Sequence, residues 1–382
     1  MIARTICFIF DTPHYLGGKY YLSSIISSLS LLSMARIVVL TGRESIYDDF
    51  VTNLPQSVEV FRLAYFDETG FDRLFFRLFR FFGFPCIFRA LADKYSIDTF
   101  SHSEAPNCKK GLYETINWIP DLQFAELPEN FSILQRLRSF LRVISLIRQS
   151  KIILFSSLHS KSIAIKYFSR FSNTIELKSF VLNFTPSLHF DSSAYTSEHD
   201  DLQKPLPDKY LFMPNQFWTH KNHYVALEGF AKFVKDYPNY FLILTGNPRD
   251  FRNQNYASSL ERKLRDGFFG PNVLYLGVLG RSQYYRILEN CSVLVNPSLY
   301  EGWSTTVEEG IFLQKRILVS NIGVHREQVK NYAKSYCFEK TSPDDFCTQL
   351  VALINSTNND DDFSSSNRKY RFLESLRLLY RL

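Results

Sequence analysis

Short apolar runs recur along the chain with helix-like segments between several of them, and this alternation breaks off once and then restarts. The first series is Thr5–Phe10, Ala35–Leu40, Val58–Leu63, a weaker Tyr95–Phe100, Ile116–Pro120 and Lys151–Ser157, with a turn-rich loop DTPHYLGG and a helix from Tyr20 after the first run. Strand alternating with helix implies a parallel sheet with helices on both faces. The stretch SEHDDLQKPLPDK, Ser197–Lys209, carries two prolines and no apolar periodicity, so it reads as a linker. Beyond it the pattern resumes at Tyr210–Pro214, Tyr240–Gly246, Val273–Gly277, Ser292–Pro297 and Arg316–Asn321. A polar segment, Asn355–Asn367, then precedes an amphipathic helix, Lys369–Leu382. The expectation is two doubly wound α/β domains: an N-terminal domain 1–196, a linker 197–209, a C-terminal domain 210–362, and a last helix 363–382 able to cross back to the first domain. A chain of 382 residues can bury two such cores.

Composition narrows the partners. The net charge of +6 suits an anionic ligand or a membrane surface, but no Lys/Arg block is dense enough for nucleic acid. Cys7, Cys86, Cys108, Cys291, Cys337 and Cys347 are scattered with no CxxC pair, so they read as reduced core residues and not as a zinc site. The first apolar run, TICFIF, is too short for the core of a signal peptide. No uncharged apolar run reaches the roughly 18 residues needed to span a bilayer. A cytoplasmic protein, peripheral on a membrane at most, is expected.

In open α/β sheets ligands bind beyond the carboxyl ends of the strands. The stretch NPSLYEGWSTTVEEG, Asn296–Gly310, falls at such an end, after the run SVLV. Ser304, Thr305 and Thr306 would open the next helix, where unpaired N–H groups and the positive dipole end attract a phosphate. Ordinary N-capping by Ser304 or Thr305 would use the same residues. Glu301 and Glu309 bracket them, and a carboxylate accepts hydrogen bonds from paired hydroxyls of a sugar or ribose; Glu308 reads as the solvated acid. Lys221, in NQFWTHKNH after the run YLFMP, would add a full charge to a phosphate site, before a helix that Asn222 could cap.

These residues resemble the retaining, nucleotide-sugar-dependent glycosyltransferases of the GT-B fold, family 4. The resemblance rests on EGWSTTVEE, an acid–seven residues–acid motif, with NPSLYEGW, HKNH, VLYLGVLGRSQYYRIL and SNIGVHREQ in order around it. Bacterial surface-polysaccharide transferases have the most similar flavour. The resemblance implies two Rossmann-like domains facing each other across a cleft. It implies that Glu301 holds hydroxyls of the donor sugar, Glu309 the ribose diol, and the amides around Gly302, Trp303, Ser304 and Thr305 the sugar and pyrophosphate. Lys221 would counter the phosphate charge, Gly17 and Gly18 would form the glycine loop near the donor phosphates, and Val278 would lie at the base-binding strand end. With no strand-end Asp-x-Asp, no metal and no cofactor beyond the nucleotide diphosphate sugar is expected.

Two positions depart from the pattern. Gln216 stands where an Arg is usual, and Phe124, in NWIPDLQFAELPENFS, where a His near the donor sugar is common. His102, in FSHSE, either reaches the cleft instead or is a polar surface histidine. The expected activity is retaining transfer of a hexose to a glycan acceptor, lipid-linked and part of surface-polysaccharide or lipopolysaccharide biosynthesis. The alternatives are a catalytically silent nucleotide-sugar-binding or partner subunit, and a GT-B epimerase or hydrolase. Last, Phe71–Lys94 reads as a helix with Arg73, Arg77 and Arg80 along one stripe beside many phenylalanines, and Leu134–Lys151 as a second basic helix. Together they predict a patch for an anionic membrane, with the arginines on the head groups and the phenylalanines in the acyl boundary; sheet-covering helices with arginines facing water are the plainer reading.

Overall fold

The computed structural model describes residues 4–12, 16–108, 111–172, 174–186, 205–250, 252–357 and 365–382. The strands of the first series are β1 (Arg4–Phe10), β2 (Ala35–Thr41), β3 (Glu59–Arg62), β4 (Thr99–Ser101), β5 (Glu114–Ile119), β6 (Ile152–Phe155) and β7 (Ser179–Val181). They form one parallel sheet in the order β3-β2-β1-β4-β5-β6-β7. The second series is β8 (Tyr210–Pro214), β9 (Phe241–Thr245), β10 (Val273–Tyr275), β11 (Val293–Asn296), β12 (Arg316–Ser320) and β13 (Ser335–Phe338). These pair, again all parallel, as β10-β9-β8-β11-β12-β13. The two doubly wound α/β sheets expected from the alternation are therefore present. Each reverses its strand order once, between β1 and β4 and between β8 and β11.

The central strands read as unbroken apolar runs because helices bury both of their faces. In β8, Leu211 and Met213 join a core with Phe217, Phe230 and Phe346. Tyr210 and Phe212 point to the other face, against Tyr285, Leu288 and Ile311. Each such side chain contributes roughly 1.5–3 kcal/mol on burial. The edge strands β7 and β13 were not evident in the sequence: most of their residues are only half-buried, so neither shows a continuous apolar run. Tyr95 ends a helix, Cys86–Tyr95, and does not start a strand.

The chain divides into two compact units. The first comprises Met1–Ala125, Ile133–His189 and Arg368–Leu382; the second comprises Glu126–Ser132 and Phe190–Asn367. The last helix, Ser365–Tyr380, ends within the first unit, where the Tyr380 hydroxyl lies 2.7 Å from Ser101 Oγ. Residues 197–204 of the expected linker, and 358–364 of the polar stretch before the last helix, lie outside the described residues.

The segment expected as one basic amphipathic helix is two. Helix Phe71–Phe82 stops at Gly83, whose φ of +74° is left-handed, and helix Cys86–Tyr95 starts after Pro85. The arginine stripe is also turned the other way from the expectation. Arg73, only 3% exposed, donates to Asp11 Oδ2 at 2.8 Å and to the Asp11 carbonyl at 2.9 Å. Arg80 donates to the same carboxylate at 3.1 Å. Burial alone would raise the Asp11 carboxyl, but the two guanidiniums outweigh it and hold it below its ordinary value. Arg77 remains exposed. Replacing Arg73 by Met leaves a buried carboxylate with one partner fewer, so urea denaturation should show a loss of roughly 3 kcal/mol. The same change at Arg77 should cost under about 0.5 kcal/mol. Equal small losses at both positions would contradict the buried pair.

Candidate functional site

The site assembles where the second sheet reverses its order. The loop after β8 makes a short 3-10 turn, Thr219–Lys221, and Asn222 takes a left-handed φ of 54° before helix His223–Phe233. Asn222 does not cap that helix with its side chain. Its amide donates to the carbonyls of Pro297, at 3.1 Å, and Lys340, at 2.7 Å. Leu299 N–H donates to the His220 carbonyl at 2.7 Å. These bonds tie the loop after β8 to the loop after β11.

The ties bring Lys221 Nζ to 2.5 Å from Glu301 Oε1. The Ser298 hydroxyl sits 2.7 Å from the same oxygen and 2.7 Å from Asn296 Oδ1, and can donate to one of them at a time. Burial alone would raise the Glu301 carboxyl; the charges of Lys221, His220 and His325 and the Lys221 hydrogen bond outweigh it and bring it down to about 2. His220 and His325 flank this pair as buried imidazoles. Burial holds His220 well below its usual range and His325 down to about 4, so both are neutral near pH 7. His325 Nδ1 lies 3.0 Å from the Ser320 carbonyl, which makes Nδ1 the protonated nitrogen, and its buried Nε2 has no partner among the described residues.

Ser304 is the N-cap of helix Thr305–Phe312, its hydroxyl accepting from Val307 N–H at 3.3 Å and from the Asn296 amide at 2.8 Å. The capping reading is therefore correct, and it leaves the anion reading intact. The first N–H groups of a helix, here those of Thr305 and Thr306, have no acceptor within it. The Ser304 N–H itself is taken, at 3.3 Å, by Gln328 Oε1. Glu308, expected to be solvated, is 1% exposed and accepts from the Gln328 amide at 3.1 Å.

Glu309 is 4% exposed and already engaged. Arg281 donates to Oε1 at 2.5 Å, Tyr285 to Oε1 at 3.0 Å and Tyr284 to Oε2 at 2.5 Å. Arg281 also stacks on the Tyr285 ring at 4.2 Å. Gln216 Oε1 accepts from Asn247 N–H at 3.0 Å, joining the loops after β8 and β9. There Gly246, at φ +141°, lies so close to the Asn215 carbonyl that a Cβ would stand 2.2 Å from it. Val278, beyond β10, is 69% exposed.

Lys221, Glu301 and Ser304 thus converge, with Gly302, Trp303 and Thr305 in the same loop and helix start. Glu309 lies about a turn further into that helix. Gly17 and Gly18 belong to the first unit, in the opening turn of helix Leu16–Leu32 and not in a loop before it. Phe124 is 8% exposed and meets Phe168 edge-on, with ring centroids 6.5 Å apart. His102 is no surface histidine: Phe8, Tyr21 and Trp118 surround its ring, Tyr21 hydroxyl at 3.1 Å from Nε2, and burial lowers it to about 3. Sequence reasoning missed Arg281, Tyr284, Tyr285, Ser298, Gln328 and His325. Arg281 and the tyrosines stood in a quoted motif, RSQYYRIL, but only the fold aims them at Glu309.

Residues 195–370 match the family model for glycosyl transferases group 1, so the second unit carries a domain of that type. The chain is 27% identical over 100 residues to an uncharacterized glycosyltransferase, MJ1178, of Methanocaldococcus jannaschii. That stretch spans 25% of this chain and 28% of the relative, so the chain matches little more than a quarter of that protein's length. Among solved structures, the chain resembles Anabaena Alr3699/HepE in complex with UDP and glucose, with a TM-score of 0.64 and 15% identity over 98% of this chain and 94% of that one. It resembles WaaG, a glycosyltransferase involved in lipopolysaccharide biosynthesis, with a TM-score of 0.60 and 13% identity over 98% and 95%. A Rickettsia africae glycosyltransferase gives a TM-score of 0.64 and 12% identity over 99% and 93%. The fold is GT-B.

The depressed Glu301 carboxyl has a consequence for stability. Its ordinary value is 4.5 and its folded value about 2, so the stabilisation is complete above 4.5 and disappears as pH falls from there through about 2. The difference in unfolding free energy between the wild type and Glu301→Gln should therefore shrink across that window. A difference that stays constant from pH 6 to about 2 would show that Glu301 is not held ionised by Lys221.

Proposed function

We propose that the chain is a glycosyltransferase of family 4 that moves a hexose from a nucleoside diphosphate sugar to a glycan acceptor, with retention of anomeric configuration and without a metal. The observation that carries this reading is the Lys221–Glu301 pair beside the open N–H groups of helix Thr305–Phe312, at the reversal of the second sheet. An ammonium has three N–H donors and Glu301 takes one, so Lys221 can hold a phosphate oxygen while still positioning the carboxylate. Glu301 in turn accepts from hydroxyls of the sugar.

The chemistry breaks the bond between the anomeric carbon and the diphosphate oxygen, which keeps the electron pair. The acceptor oxygen bonds to that carbon on the same face, and its proton passes to the departing diphosphate oxygen. Negative charge grows on the leaving diphosphate, where Lys221 and the N–H groups near Thr305 are already aimed, and fixed donors at that place lower the barrier. Gly302 and Trp303 shape the sugar side and Val278 the base side. The ribose diol replaces the Tyr284 hydroxyl at Glu309 Oε2. The affinity of relatives of this fold for UDP and UDP-glucose, as in the Alr3699/HepE complexes, supports a nucleotide-sugar donor. The acceptor we assign is a lipid-linked glycan of surface polysaccharide or lipopolysaccharide, worked on at the cytoplasmic side of the membrane.

Phe124 favours a second reading. A buried phenylalanine stands where the resemblance calls for a histidine near the sugar, which suits a nucleotide-sugar-binding subunit that does not turn over, or one that hydrolyses or epimerises its ligand. Release of nucleoside diphosphate from UDP-, GDP-, ADP- and dTDP-sugars, with and without a lipid-linked acceptor, separates them. Transfer predicts release only with acceptor, unaffected by EDTA. Calorimetry should find nucleoside diphosphate affinity down by about tenfold or more in Lys221→Ala and Glu309→Ala, each charge-assisted bond being worth about 1.5–3 kcal/mol, with both variants folded. Unchanged affinity in both would sink the assignment.

A further inference from the structure

Helix Phe71–Phe82 is packed inside out. Its inner stripe is Arg73 and Phe76, both buried, with Arg80 half-buried, while Phe71, Leu74, Phe75, Leu78, Phe81 and Phe82 face solvent, Phe71 at 79% and Phe82 at 64% exposure. A surface helix ordinarily buries its apolar stripe. Here the bonds of Arg73 and Arg80 to Asp11 fix the opposite orientation. The neighbouring helix, Ile133–Gln149, does part of the same: Val143, Leu146 and Ile147 are buried, but Ile133, Leu134, Leu137 and Leu141 are exposed. Two contacts place these helices side by side. Glu104 pairs with Arg80 at 3.4 Å and with Arg142, and the Gln149 amide lies 2.7 Å from where a Cβ on Gly83 would be. Phe84, in the bend after the first helix, is 53% exposed and extends the apolar surface.

From this we infer that the paired helices seat the first unit on an anionic lipid bilayer. Contiguous apolar surface of this kind marks an interaction site. The charges decide the occupant. Exposed arginines border the apolar stripes at Arg77, Arg136, Arg138 and Arg148, and the two helices hold a single acid, Asp72. A twofold contact with a second copy would set these arginines against one another. A bilayer interface takes phenylalanine and leucine side chains into the acyl boundary and lets arginine stems lie along it with their heads on phosphates. No helix among the described residues is long and apolar enough to cross the membrane, so this is contact in the plane of the interface. The sequence reading put Arg73 and Arg80 on the head groups, and they are instead held by Asp11; the phenylalanines keep the place it gave them, in the acyl boundary.

The test uses the full chain with vesicles of phosphatidylcholine alone or mixed with phosphatidylglycerol. Sedimentation should show binding to the mixed vesicles at low salt, weaker binding at high salt, and little to phosphatidylcholine. Leu74→Ser/Phe75→Ser/Phe82→Ser, at exposed positions, should lower vesicle affinity by about tenfold or more while melting and nucleoside diphosphate affinity hold. Arg136→Ser/Arg138→Ser should flatten the salt dependence. No pelleting with mixed vesicles, equal pelleting with both kinds, or unchanged binding by the apolar triple variant would overturn the inference. So would a concentration-dependent dimer in light scattering that the triple variant abolishes, since the face would then belong to a second copy.

Discussion

The ion pair between Lys221 and Glu301 is where the second sheet becomes a site. Strands β8 and β11 are neighbours in space and far apart in sequence, and their carboxyl ends must turn toward each other for this pair to exist. Two partly buried charges cost several kcal/mol each to take out of water, and only close geometry with further hydrogen bonds repays that. The further bonds are present: Ser298 on the carboxylate, the Asn222 amide on two carbonyls, and the Leu299 N–H on His220. His220 and His325 are neutral near pH 7 and add polar surroundings there; protonated at low pH, they join Lys221 in holding the Glu301 carboxyl down. The pair stands beside a helix N-terminus, and that juxtaposition is the basis on which we propose it as the phosphate site.

The same logic governs the first unit. Asp11 follows β1 at that sheet's own reversal, and two arginines are drawn in to neutralise it. That choice inverts a helix and leaves phenylalanines outside. An electrostatic demand at a strand end thus sets the character of a surface.

The strands were legible because helices cover both faces of a parallel sheet, so its inner strands are apolar at every position. Edge strands β7 and β13 escaped because half-exposed residues break that signal. Glu301, Lys221 and Ser304 were legible because they sit next to strand ends, where position along the chain nearly fixes position in space. The partners of Glu309 were not. Arg281, Tyr284 and Tyr285 lie on the preceding helix, on the other side of β11 in sequence, and only the crossover brings them to the carboxylate. The arginine stripe failed for a related reason: helical spacing shows which residues share a face, but a remote residue, Asp11, decides which way that face points. Glu308 likewise looked solvated until Gln328, from the next crossover, proved to be its partner.

One measurement tests the central claim most directly: a crystal structure of the chain with a nucleoside diphosphate bound. The account predicts the terminal phosphate within hydrogen-bonding reach of Lys221 Nζ and of the N–H groups of Thr305 and Thr306, with Glu301 still paired to Lys221 and the ribose hydroxyls on Glu309 in place of Tyr284. A diphosphate seated away from Lys221, with Glu309 still bound by Arg281 and both tyrosines, would contradict it.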